Sequence, residues 1–152
     1  MQEFIRALHI GVTLGAAALV AACDGLTGPT TARVIGVIET SDPRAAVLDA
    51  PDSVRVGAAV SVRVTTYGSG SCTRDAGAEL RMSQLLAEIT PMDRQQTSGA
   101  CTDDLRSYAR AVALRFDVAG VATVRVRGRR LFRTPDGRDS LVMREKAIVV
   151  RP

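Results

Sequence analysis

Beyond residue 31, apolar and polar positions alternate with a period of two along most of the chain, and this period predicts strands. The clearest run is 59–67, where Val60, Val62 and Val64 point one way and Ser61, Arg63 and Thr65 the other. Such a run suits a sheet with one face on a core and one in water. Val112, Leu114 and Phe116 repeat the pattern in 111–118. After the Ala119-Gly120 turn, Ala122, Val124 and Val126 alternate with Thr123, Arg125 and Arg127. Shorter β-rich runs lie at 34–40, with Gly36 inside it, at 53–56 between Pro51-Asp52 and Gly57, and at 145–150. Thr134-Pro135-Asp136-Gly137 has the residues of a hairpin turn.

Two segments are ambiguous. Met82, Leu85, Leu86 and Ile89 have helical spacing, with Pro91 placed to end a helix. Read as strands instead, 78–82 and 86–90 form a hairpin across Ser83. The strand reading is preferred, because the flanking elements are β and need partners. Thr102-Asp103-Asp104-Leu105-Arg106-Ser107 predicts one helical turn capped by Thr102 or Asp103.

The first 22 residues follow a different pattern. Residues 1–6 carry one arginine, and 7–22 hold no formal charge around an apolar centre of Leu14, Ala16, Ala17, Ala18, Leu19 and Val20. A positive start, an apolar stretch and small residues at its end form the layout of a secretory signal. As a helix the stretch spans roughly 24 Å, short of the ~30 Å hydrocarbon core. Leu19-Val20-Ala21-Ala22-Cys23 resembles the lipobox of bacterial lipoproteins. The resemblance implies diacylglyceryl on the Cys23 sulfur, cleavage before Cys23 and acylation (palmitate or similar) of the new amine. Two or three acyl chains give stable anchoring. The expected division is therefore a signal peptide over 1–22, a lipidated tether over 23–31 and a β-domain over 32–152.

Short strands with a turn every 8–12 residues argue for an antiparallel sandwich. Pro51-Asp52-Ser53-Val54-Arg55-Val56-Gly57 with its following valine strand, and Phe116-Asp117-Val118-Ala119-Gly120-Val121-Ala122-Thr123-Val124-Arg125-Val126, resemble the early and late parts of bacterial immunoglobulin-like domains. A tyrosine common in such hairpins is replaced by Ala122. The expected fold class is all-β: an antiparallel immunoglobulin-like sandwich after an N-terminal signal helix, with room for one short helix between the cysteines.

Composition narrows the chemistry. With Cys23 used for lipid, Cys72 and Cys101 remain, an even pair suited to a disulfide in an oxidising compartment. The only histidine, His9, lies in the segment expected to be removed, so the mature chain holds no Ser-His-Asp, Cys-His or His-ligated metal constellation. Lys146, the sole lysine, has no Ser-x-x-Lys companion. Asp103-Asp104 and Asp136/Asp139 read as turn or helix-start residues, and no glycine-rich phosphate loop is present. No catalysis, cofactor or metal is expected.

The net charge of +4 is almost wholly arginine, and Arg125, Arg127, Arg129, Arg130 and Arg133 fall within nine residues. On one strand face they form a cationic stripe suited to lipid headgroups, acidic polysaccharide or an acidic protein; without interleaved aromatics, nucleic acid is not expected. The sequence thus predicts a lipid-anchored, non-catalytic binding or envelope-interaction module with its soluble part in the periplasm, inner and outer membrane both remaining open. The second reading is a structural or assembly accessory of an envelope complex, offering an edge strand to a partner.

Overall fold

The computed structural model describes residues 28–42, 45–131 and 140–152. The signal segment, Cys23, Arg133 and the Thr134-Pro135-Asp136-Gly137 turn lie outside the described residues. The described residues form ten strands: β1 (Thr31–Ile35), β2 (Val37–Glu39), β3 (Leu48–Asp49), β4 (Ser53–Arg55), β5 (Ala59–Ser69), β6 (Thr73–Ser83), β7 (Leu86–Gln96), β8 (Leu105–Arg115), β9 (Gly120–Arg130) and β10 (Leu141–Arg151). The described residues are all-β. No helix occurs among them.

All ten strands belong to one hydrogen-bonded network. One group runs β6–β7–β9–β10–β4 and a second runs β8–β5–β3, with β2 bonded both to β9 and to β5. The alternation read from sequence sets which side is buried. Val60, Val62 and Val64 of β5, Leu114 of β8, Ala87 and Ile89 of β7, Ala122, Val124 and Val126 of β9, and Ile148 and Val150 of β10 join Ile38 and Phe116 in one apolar cluster. Burying each valine, leucine, isoleucine or phenylalanine of the cluster contributes about 1.5–3 kcal/mol against exposure.

The ambiguous segment is resolved as strands, with β6 and β7 antiparallel around the two-residue turn Gln84-Leu85. Both strands are longer than expected, and Pro91 sits inside β7. Its ring removes an N–H, which the ladder tolerates because the Pro91 carbonyl points away from β6 and accepts from Gly36 N at 2.8 Å.

Two expectations need correction. The sheet is mixed: β7–β9, β2–β9 and β4–β10 pair parallel. The reason is that β8 leaves to pair with β5 in the other group, so β7 and β9, which run the same way, become neighbours. The helical turn at Thr102–Ser107 does not form; Leu105 instead opens β8. Thr102 and Asp104 use their side chains on the loop itself, the competing use of such residues. The Thr102 hydroxyl donates to the Asp104 carboxylate, which also accepts Gly70 N at 2.9 Å and Arg106 Nε at 2.7 Å. These bonds, that of Thr102 first, hold the Asp104 carboxyl well below the ordinary aspartate range.

Gly36 separates β1 from β2 where the chain changes partners, from β7 to β9 and β5. A Cβ there would stand 2.4 Å from Thr66 Cγ2 and 2.8 Å from Asp93 Oδ2, so only glycine lets the backbone pass so near these side chains.

Candidate functional site

Three rows of inward-pointing residues end in a polar side chain at the same level. In β5 the row Val60, Val62, Val64 continues to Thr66; in β7 the row Ala87, Ile89, Pro91 continues to Asp93; in β8 the row Leu114, Val112 reaches Arg110. All three polar residues are buried. Arg110 Nη2 donates to Asp93 Oδ1 and to Thr66 Oγ1, each at 2.6 Å, and Thr66 donates to Asp93 at 3.0 Å. Arg110 Nη1 donates to the carbonyls of Met92 at 2.5 Å and Gly77 at 2.7 Å and lies 3.0 Å from Asp75. Its Nε is buried without a hydrogen-bond partner among the described residues. One guanidinium therefore ties β5, β6, β7 and β8 together. Sequence reasoning missed this cluster, although residue parity alone places Arg110 on the side of Leu114 and Phe116.

The cysteines meet as expected. Cys72, at the foot of β6, is bonded to Cys101, in the loop between β7 and β8, across 29 positions, with Cα atoms 5.5 Å apart. Around the bridge, Ser69 Oγ donates to Thr102 O at 2.9 Å, Thr102 N donates to Ser71 Oγ at 2.9 Å, and Gln96 N to Cys72 O at 2.8 Å. A cavity of about 260 Å³ opens beside it, lined by Tyr67, Thr73, Asp93, Gln95, Cys101 and Arg129 among others. Asp93 is committed there to Arg110 and Thr66. A shallow groove of about 560 Å³ crosses the outward side of β5 and β8 past Leu48, Arg63, Tyr67 and Ser107. Lys146 Nζ donates to the Ala50 carbonyl and lies 3.1 Å from Asp52, a bond between β10 and the chain leading into β4. Among the described residues no three His, Cys, Asp or Glu side chains gather as metal ligands.

The arginine cluster is divided by the strand pleat. Arg125, Arg127 and Arg129 project from the outward side of β9, opposite to Val124, Val126 and Gly128. Arg130 has the other parity and binds Glu39, which also accepts Arg144 Nη2 at 2.5 Å. The bond from Arg144, then that from Arg130, pulls the Glu39 carboxyl below its ordinary range. Arg125 Nε meets Glu145 at 2.6 Å, and Arg129 Nε donates to the Ile35 carbonyl at 2.5 Å. Arg127 has no carboxylate partner among the described residues.

The register extends the cationic face past β9. Arg33 of β1, Arg94 of β7 and Arg74 of β6 stand in one cross-strand row, and Arg81 of β6 shares a row with Glu88 of β7 and Arg125 of β9. At the far end of β10, Arg151 is level with Arg55 of β4. Acidic residues on the same face are Glu79, Glu88 and Glu145. Between the charges, Leu141 and Met143 of β10 stand level with Arg129 and Arg127 and are 46% and 54% exposed. The outward side of β5 and β8 carries fewer cations: Arg63, level with Asp49, and Arg115, paired with Asp117, stand among Ser61, Thr65, Ala109, Ala111 and Ala113, with Leu105 at one end. Cationic charge is thus concentrated on one face, together with exposed apolar side chains.

Comparison with family models, curated proteins and solved structures finds no match to this chain.

Proposed function

We propose that the protein is a membrane-anchored bacterial lipoprotein whose domain is a non-catalytic binding module, applying the outward face of β6, β7, β9 and β10 to an anionic surface in the cell envelope. The lipid is placed on Cys23 by the lipobox resemblance. The observation that carries the binding reading is the pairing of Arg94, Arg127 and their neighbours with exposed Leu141 and Met143 on a single face. Guanidinium groups meet phosphate through two parallel N–H donors, while apolar side chains enter the headgroup boundary. Phosphate-bearing lipid headgroups are the surface that suits both.

The finer form of the fold belongs to the same proposal. Two strand groups share one apolar cluster, and the first strand switches partners at Gly36. Both features support an immunoglobulin-like sandwich, whereas the parallel β7–β9 pair is a departure from the antiparallel pattern.

Two fractions of one experiment separate anchor from face. Cys23→Ser is expected to move the protein from membranes to the soluble fraction; retention on membranes would remove the lipid from the account. In that soluble background, binding to phosphatidylglycerol vesicles should exceed binding to phosphatidylcholine vesicles and weaken with salt. At about 1 kcal/mol for each cation near an anionic surface, replacing Arg94, Arg125 and Arg127 by glutamine should weaken binding about a hundredfold. Unchanged vesicle affinity would exclude this face.

A further inference from the structure

Among the described residues, the strand β6 has a partner on one side only. Pro91 directs its carbonyl to Gly36, away from β6, so the pair Ala78–Pro91 exchanges no ladder bonds. By alternation along an antiparallel pair, Ala78, Leu80 and Met82 all turn their N–H and C=O groups to the open edge. Such groups form a template for another strand. Below this stretch the edge is closed: Gly77 lies in a bulge at φ +80°, and Arg110 occupies its carbonyl. Leu80 and Met82, on the core side of the strand, remain 39% and 40% exposed.

We infer that β6 pairs antiparallel with β6 of a second copy of this chain, centred on Leu80. The sequence Ala78-Glu79-Leu80-Arg81-Met82 is complementary to itself in this register. Leu80 faces Leu80 of the second copy, Ala78 faces Met82, and Glu79 faces Arg81 in both directions. The open backbone groups lie at 78, 80 and 82, which are the positions this register brings into hydrogen-bonded pairs. Glu79 and Arg81 fall at the closer, non-hydrogen-bonded pairs, where opposite charges stabilise and like charges repel. Any register shifted by one residue fails, because open groups would meet groups already bonded to β7.

Charge on an edge strand normally discourages pairing. Here the two signs sit on either side of the centre, so a second copy meets attraction. The pairing also covers the apolar side chains that β6 leaves half exposed. Its twofold axis is normal to the sheet, so the outward faces of both copies point the same way and form one continuous arginine-bearing surface. The inference rests on the β6 edge and is independent of what the arginine face binds.

Sedimentation velocity on the full-length chain in detergent, over a concentration series, tests the pairing. The unmodified chain should dimerise. Glu79→Arg and Arg81→Glu should each weaken the dimer on the order of tenfold or more, since each sets two like-charge pairs in place of two attractive ones. The double variant Glu79→Arg/Arg81→Glu restores both pairs and should dimerise again. A mixture of the two single variants should form the mixed dimer, because the all-positive edge then meets the all-negative one. Amide exchange on the unmodified chain supplies a readout without substitution: the amides of Leu80 and Met82 should become protected as concentration rises. A chain that stays monomeric, a double variant no better than the singles, or exchange at these amides that ignores concentration would each overturn the inference.

Discussion

Replacing Arg110 with methionine is expected to lower the unfolding free energy by about 3–5 kcal/mol, the range for removing one partner of a buried ion pair. At a slope near 2 kcal/mol per molar, the urea midpoint should fall by about 2 M. Methionine fills much of the arginine volume, so the loss is chiefly electrostatic. Asp93, with its side chain only 4% exposed, loses its buried cationic partner, and the carbonyls of Gly77 and Met92 lose their donor. The bulge of β6 and the Pro91 region of β7 lose their common tie to β8. A midpoint shift below about 0.5 M would show that the guanidinium contributes little.

The double variant Arg110→Met/Asp93→Leu decides the mechanism. Buried ion pairs replaced by apolar residues of similar volume are frequently neutral or better, whereas the half-pair is costly. The double variant should therefore be more stable than Arg110→Met alone, although it carries one more substitution in the core. Recovery stays partial, because Thr66, Gly77 and Met92 still lose hydrogen bonds, each worth about 1 kcal/mol. Had packing alone been at stake, the second substitution would add to the loss. The sign of the coupling separates the two accounts.

Strand identity was legible in β5, β8 and β9 because each keeps a side on the core and so a period of two; β6, exposed on both sides along most of its length, left a helix open. The same parity held the Arg110 cluster in plain view. Arg110, Asp93 and Thr66 each continue an apolar row, yet arginine and aspartate are so regularly exposed that composition argues against parity. What resolves the conflict is that all three rows turn polar together, at one level of the fold, and this level is set by register between strands distant in sequence. Register also hid the extent of the cationic face. Arg125 and Arg127 declared their side within β9, but the row Arg33–Arg94–Arg74 exists only once β1 and β6 flank β7. The parallel pairs were illegible for the same reason. The misread turn at Thr102 has a local cause: residues that cap helices bond a loop backbone equally well.

Replacing Cys72 and Cys101 together with alanine should cost about 3–4 kcal/mol, as expected for opening a loop of 29 positions in the unfolded chain. The loss should be seen in the urea midpoint of the purified protein, and reduction of the native protein should reproduce most of it. The structural consequences are confined by where the bridge sits. It joins the turn ahead of β6 to the loop ahead of β8, and those two strands carry Asp75, Gly77 and Arg110 of the buried cluster. With the bridge gone, the Thr102 end of the loop is left to hydrogen bonds among Ser69, Ser71, Thr102 and Asp104, all of them reachable by water, while Thr97 and Ser98 stay bonded to Thr30. Amides near Thr102 should then exchange rapidly while those of β9 keep their protection. Combining the cysteine variant with Arg110→Met tests whether these two ties are one unit. Both connect β6 to β8, so the first loss loosens strands that the second would otherwise have to separate. The summed cost is therefore expected to fall short of the two single costs added together. Strict additivity would mean that the bridge and the guanidinium act on separate parts of the fold.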